Sequence, residues 1–374
     1  MKILVAMDSF KGSATSKEIN QAVADGMKKI NPQAEISTYS VADGGEGTTA
    51  AFYENDLGQL MEVMTLDLFN QPISAKYVLF DEKTVVLEVA ETAGIHFLSE
   101  EKENKYASSF GVGDMLRRIN EKHPEIEKFI IGLGGSGIND AGIGMMQALG
   151  ISFKKNNGEE IVYGTTEIEE IMEIDTSGFK QALATKEFIL LSDVKNPLTG
   201  PSGATYIFGK QKGVIDLEKV DQALQHYAKV LTTKFKIDYS KVESTGAAGG
   251  IGISFLYFLN SHFVSGAEYI TEMLALKEKM ATVDLVITGE GKMDRQSAYG
   301  KLPTIIAQLA KSQQKKVIAV VGDASEVTTE NYQAGIDLIL SLLRGPMTLK
   351  DSIEQTKKLA SQTGEDIMRI MKKL

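Results

Sequence analysis

A chain of 374 residues with 43% hydrophobic and 24% charged side chains, 35 glycines and only 7 prolines has the profile of a globular α/β protein, long enough for two cores. It contains no cysteine, which excludes disulfides, thiolate nucleophiles and cysteine-bound metal centres, and its four histidines (His96, His123, His226 and His262) lack metal-ligand spacing, so any metal would be a hard one bound through oxygen. A formal net charge of −10 counts against a nucleic-acid backbone as ligand, and no stretch approaches the roughly 20 apolar residues of a membrane span. The apolar run that opens the chain reaches only Asp8, too short for a signal-peptide core, so a cytoplasmic location is expected.

In chain order, Lys2 to Met7 predicts a buried strand. Thr15-Ser-Lys-Glu18 is a capping box that opens a helix with Ile19, Ala22, Val23, Met27 and Ile30 on one face, and Ala34 to Val41 predicts the next strand. From Leu60 to Val89 the runs MEVMTLDL, ISAKYVLF and TVVLEVA, joined by short polar turns, predict an antiparallel meander. A strand at Lys128 to Leu133, a helix from about Asn139 to Leu149, a strand at Glu187 to Leu191 and a glycine-rich helix start near Gly246 follow. The C-terminal part returns to alternation: strand Val283 to Thr288, helix Pro303 to Ser312, strand Lys316 to Val321 and strand Asp337 to Leu343. Both chain ends therefore read as one parallel-sheet domain, residues 1–60 with 281–374, into which a second α/β domain of residues 61–280 is inserted. A cleft between two such domains is an expected ligand site.

Six loops share one style, rich in Gly, Asp, Ser and Lys: Asp8 to Ser13, Ala42 to Thr48, Gly132 to Gly142, Ser192 to Gly200, Thr245 to Gly252 and Ile287 to Lys301. The Gly132 loop follows a strand and precedes a helix, which suits backbone amides to a phosphate; its spacing is not a Rossmann fingerprint, and no Walker A loop occurs. Asp8, Asp43, Glu46, Asp140, Asp193, Glu290 and Asp294 stand at or just past expected strand ends, Asp140 in the position of a helix-capping group. Carboxylates beside glycine amides and lysines such as Lys11, Lys195, Lys210, Lys212, Lys292 and Lys301 supply what phosphoryl transfer needs: sites for Mg²⁺, positive charge for the phosphates, and a carboxylate to accept a hydroxyl proton.

Taken together, DSFKGS, ADGGEGT, GLGGSGINDAG, SDVKNPLTGPSGATYIFGKQKG, GAAGG and DLVITGEGKMDRQSAYGKLP, in this order between about residues 3 and 345, resemble the type 1 glycerate kinase family of bacteria. Ile138, Ala141, Lys210 and Ser297 depart from that family's more frequent residues. The resemblance implies phosphorylation of a hydroxyl of D-glycerate by ATP with Mg²⁺, on a flavodoxin-like domain built from both chain ends with a second α/β domain inserted. At these positions Asp193 or Asp294 is expected to accept the hydroxyl proton, with Glu290, Asp43 and Asp294 as metal candidates. Lys11, with Asp8, Ser9 and Arg295, is expected at glycerate, and Gly134, Gly135, Ser136, Gly137, Gly246, Gly249, Gly250 and Lys301 at ATP. The partners are then small molecules, with a homodimer left open. Kinase chemistry on another small hydroxy acid, or a non-catalytic two-domain protein that binds a small acid, are the competing readings.

Overall fold

The structure is a computed structural model and describes residues 1–99, 103–179, 181–298 and 300–373. Tyr299, inside the Ile287 to Lys301 motif, lies outside the described residues. The chain forms two compact units: Met1–Asp43, Ala50–Leu57 and Ser265–Leu374 make the first, and Gly44–Thr49 and Gly58–Val264 the second. Among the described residues no helix is long and apolar enough to cross a membrane.

The first unit is built on five parallel strands in the spatial order Leu338–Ser341, Lys316–Asp323, Leu285–Lys292, Lys2–Val5 and Glu35–Thr38. Numbered along this unit, that is the 2-1-3-4-5 order of flavodoxin-like sheets. The strands are near-continuous apolar runs because both faces are covered. On one face lie the helices Ser16–Ile30 and Leu349–Met371, whose Ile19, Val23, Met27, Leu359 and Ile367 meet Ile3, Val5, Ile287 and Val320 in one core. Each such fully buried aliphatic side chain stabilises by about 1.5–3 kcal/mol. The first helix starts where the capping box places it, with Glu18 N–H donating to Thr15 Oγ1 and Thr15 N–H to the Glu18 carboxylate. Leu302–Ser312 packs on the strands Leu285–Lys292 and Lys316–Asp323.

The strand expected to stop at Thr288 continues to Lys292, because its neighbour also continues and pairs Glu290 with Val321 and Lys292 with Asp323. The charges of TGEGK are therefore carried by a strand, and only the following residues form a loop.

The second unit carries a six-stranded mixed sheet, ordered Asn260–Val264, Glu187–Leu191, Lys128–Gly132, Thr84–Glu88, Pro72–Asp81 and Gln59–Leu66. The first four run parallel and the last three make the antiparallel meander that the alternating sequence predicted. Its core includes Phe129 stacked on Phe188 with ring centroids 5.1 Å apart. The helix expected from Asn139 begins only at Ile143. Ala141 and Gly142 have left-handed φ of 52° and 78°, and the Asp140 carboxylate accepts from the amides of Gly142 and Gly144, so Asp140 precedes the helix and caps it.

Candidate active site

In the first unit the connections from the strands Lys2–Val5 and Leu285–Lys292 leave toward opposite sides of the sheet. In such open sheets a crevice forms outside the carboxyl ends at that switch point. Asp8 and Glu290 stand there: the Asp8 amide donates to Gly289 O at 2.9 Å, which carries the pairing of the two strands beyond Val5. A cavity of about 780 Å³ opens at this edge, lined by Asp8, Ser9, Lys11, Asp43, Glu290 and Lys301, and farther along by Leu342, Leu343, Met347, Leu349 and Ile353.

The electrostatics of this cavity are those of negative charges short of a counter-ion. Burial, then the neighbouring Asp43, raises the Asp8 carboxyl to about 8, although the Ser9 amide donates to it at 2.7 Å and Lys11 pulls it back. Burial likewise raises Glu290 to about 7, against Ser297 and Lys301, with Asp294 and Asp43 adding to the rise. Glu290 Oε1 is buried without a hydrogen-bond partner among the described residues. A buried carboxylate oxygen without a donor is costly unless a cation or donor completes it.

Whether these residues fit a magnesium ion is answered by that donor set. Among the described residues no three carboxylates converge on one metal-binding point. Mg²⁺ in nucleotide sites needs only one or two carboxylates, the rest of its shell being water and phosphate oxygens. Glu290, with an orphan oxygen, and Asp43, beside it in the cavity wall, meet that requirement.

Asp294 and Arg295 are not among the residues lining this cavity. The Asp294 carboxylate accepts from the Ser297 amide at 3.0 Å and from Ser297 Oγ at 3.2 Å, and lies 3.6 Å from Lys301 Nζ, so it ties the turn that brings Lys301 to the cavity. Arg295 is well exposed and stands 3.6 Å from Glu330.

In the second unit the Gly132 to Gly142 loop is held from behind through its carbonyl oxygens. Gly135 O accepts from the Ile95 amide at 2.8 Å, Gly137 O from Asn104 Nδ2 at 2.7 Å, and Ile138 O from Lys212 Nζ at 2.9 Å. Lys212 Nζ also donates to Ser136 Oγ at 2.9 Å; burial pushes this ammonium down to about 7, with Asp140 opposing. Acceptors are thus turned into the scaffold while Gly135 is exposed at the tip. Among the described residues the Gly135 and Ser136 amides make no bond, whereas those of Gly134 and Gly137 donate to Gly44 O and Ala93 O. Gly134 must be glycine because a Cβ there would run into the Gly45 backbone. A tip whose carbonyls are bonded and whose Gly135 and Ser136 amides are unbonded suits an anion.

Gly246, Gly249 and Gly250 differ from that tip. They are buried, and Gly249 sits in left-handed backbone against Ile138, its carbonyl accepting from the Ala141 amide at 3.0 Å. Their structural role is to let the GAAGG segment pack under the Gly132 loop. Asp193 follows the strand Glu187–Leu191 in a half-buried loop.

Two contributors escaped the sequence reading. Glu88, the last residue of its strand, is buried and accepts from the amides of Gly47 at 3.2 Å and Thr49 at 2.6 Å, shaping the ADGGEGT loop; its signal was an acid ending the otherwise apolar run TVVL. The apolar wall of the cavity was signalled only by leucines and a methionine flanking Arg344-Gly-Pro346.

Comparison with known proteins bears directly on this geometry. The profile of the Glycerate kinase family matches residues 3–372. A glycerate kinase of Bacillus subtilis is 35% identical over 100% of this chain and 98% of its own, and a glycerate 2-kinase of Escherichia coli K12 is 36% identical over 94% and 93%. A crystal structure designated glycerate kinase 2, from Salmonella typhimurium LT2, superposes with a TM-score of 0.83 at 32% identity, covering 100% of this chain and 98% of that one.

Proposed function

The chain belongs to the glycerate kinase family, and on that premise we propose that it transfers the γ-phosphoryl group of ATP to a hydroxyl of D-glycerate, with Mg²⁺ as the metal. The observation that carries the metal part is the buried, partnerless Glu290 oxygen in a cavity that also holds Asp8 and Asp43. When bound, Mg²⁺ would neutralise phosphate charge and orient the phosphates, and Glu290 and Asp43 are the residues that would hold it.

Lys11, exposed at the cavity rim beside Ser9, is our assignment for the glycerate carboxylate, and Lys301, held near Asp294, meets phosphate charge. The Gly134 to Gly137 tip, whose Gly135 and Ser136 amides make no bond among the described residues, is assigned to a phosphate of the nucleotide. In the reaction the acceptor hydroxyl oxygen forms a bond to the γ-phosphorus. The bond from that phosphorus to the bridging oxygen breaks with its electrons leaving on ADP, and the hydroxyl proton passes to a carboxylate. Asp193 and Asp294 are the two candidates for that carboxylate; Asp294 Oδ1 accepts from Ser297 and faces Lys301. The name of the E. coli relative supports the 2-hydroxyl as acceptor.

The test is ADP release from D-glycerate, ATP and Mg²⁺, followed by phosphorus NMR of the product. Turnover to 2-phosphoglycerate is the expected result. Nucleotide binding without turnover would move the acceptor to another small hydroxy acid, and no nucleotide binding at all would overturn the kinase reading.

A further inference from the structure

The cavity of the first unit has two chemical ends, and glycerate and the phosphates account for only one of them. Beyond the acids and lysines, its wall is formed by the segment that enters the helix Leu349–Met371 and by that helix's first two turns. Leu349 is 76% exposed, Leu343 42% and Ile353 38%. Apolar side chains of that exposure, clustered on one wall of a concave site, mark a ligand surface. A three-carbon acid has no apolar face to offer this wall and occupies a small part of 780 Å³.

We infer that this wall is the purine subsite of the nucleotide, with the ring system lying against Leu343, Met347, Leu349 and Ile353 and its phosphates directed toward the acid and lysine end. The inference rests on ATP being the phosphoryl donor. Hydroxyl chemistry at the wall selects the base. Ser352 Oγ donates to Leu349 O at 2.7 Å and Thr356 Oγ1 donates to Ser352 O at 2.8 Å, so both hydroxyls have spent their proton inside the helix and present lone pairs. Both residues line the cavity. The exocyclic amine of adenine donates to such acceptors, while the carbonyl at the same position of guanine meets them acceptor to acceptor and leaves them unpaired.

The test uses the full chain and two probes, ADP and inorganic tripolyphosphate, which carries the phosphates without the base. Leu349→Ser and Ile353→Ser are exposed-site changes that leave the fold intact. Each is expected to weaken ADP binding and raise the KM for ATP by about tenfold, as loss of one apolar contact surface on the base implies. Tripolyphosphate affinity and the KM for glycerate should stay at the wild-type value. Ser352→Ala is expected to narrow the preference for ATP over GTP. Unchanged ADP binding in both serine variants overturns the subsite, as does an equal loss of ADP and tripolyphosphate. A change confined to the sedimentation coefficient overturns it in favour of a second copy of the chain covering the wall. A wild-type protein that binds no ADP fails the donor reading itself, and that outcome is read before any variant is made.

Discussion

Lys212 Nζ lies 2.9 Å from both Ser136 Oγ and Ile138 O, so one buried ammonium spans the stretch of the glycine-rich loop that follows its exposed tip. Burial disfavours the charge there, and the two hydrogen bonds are ones a methionine could not make.

That relationship makes stability depend on pH in a definite direction. Folding lowers this lysine to about 7 from an ordinary value of 10.5, so at neutral pH the unfolded chain holds a proton that the folded chain holds only in part. The stability linked to Lys212 is present above the unfolded value and is lost as pH falls through about 7. Denaturant titrations between these limits should show the wild type gaining stability with rising pH by a few kcal/mol, at most on the order of 1.4 kcal/mol for each step of one in pH. Lys212→Met should flatten that slope and raise the KM for ATP, because the loop loses its brace; a variant with the wild-type slope would refute the assignment.

Glu88 has the opposite sign. Burial raises its carboxyl to about 7, above the ordinary 4.5, although the amides of Thr49 and Gly47 donate to it. Its stability contribution is complete below the unfolded value and is lost as pH rises through about 7. Glu88→Gln removes the titrating group and should remove this dependence, but because the Gly47 and Thr49 amides bond different carboxylate oxygens it keeps an acceptor for only one of them and should cost part of the stability. Glu88→Ala leaves the buried Thr49 amide and the half-buried Gly47 amide without a partner and should cost about 2–3 kcal/mol in urea unfolding.

Glu290 separates stability from activity. The nearby Asp294 and Asp43 add to the rise of its carboxyl, so Glu290→Gln relieves repulsion and burial of charge and should raise the melting temperature by a few degrees, equivalent to about 1 kcal/mol. The same change should lower turnover by about a hundredfold or more if this carboxylate holds the metal. Calorimetry and a coupled ADP assay read the two effects; a fall in both would mean that Glu290 serves the fold.

Arg295 and Lys11 are distinguished by surroundings. Arg295 faces Glu330 in a solvated pair of the kind that contributes at most about 1 kcal/mol, whereas Lys11 lines the cavity. Arg295→Ala should leave the KM for glycerate within about twofold, and Lys11→Ala should raise it about tenfold, the loss of one charge-assisted hydrogen bond. The reverse pattern in steady-state kinetics would restore Arg295 to the glycerate site.

Much of the fold was legible because periodicity is local. The capping box at Thr15, the meander and the alternation at both chain ends all appear where the patterns place them. What local pattern could not supply was decided by neighbours. Glu290 became a strand residue because Val321 lies beside it, and the helix expected at Asn139 waited for Ile143 because Asp140 took two amides for its own carboxylate. Glycine was the most ambiguous signal: Gly135 is exposed and suits a ligand, while Gly249 and Gly250 serve close packing, and no count of glycines distinguishes the two. Asp8 and Glu290 were both singled out, but 282 positions apart only the pairing of Ile3 with Leu285 explains why they share a cavity.

That same pairing governs the order of events when the protein is made. Lys2–Val5 finds its neighbour at Leu285–Lys292, and Ser16–Ile30 packs on Leu349–Met371, so the opening strand and helix emerge from the ribosome long before their partners. At about 5–20 residues per second this wait is on the order of half a minute. The Gly58–Val264 segment, whose strands pair among themselves, can complete its sheet in the interval. A chain that stops short of Leu349 would still carry every acid of the cavity but would leave Ser16–Ile30 without the helix it packs on, so the acids are held in place only once Leu349–Met371 has been made.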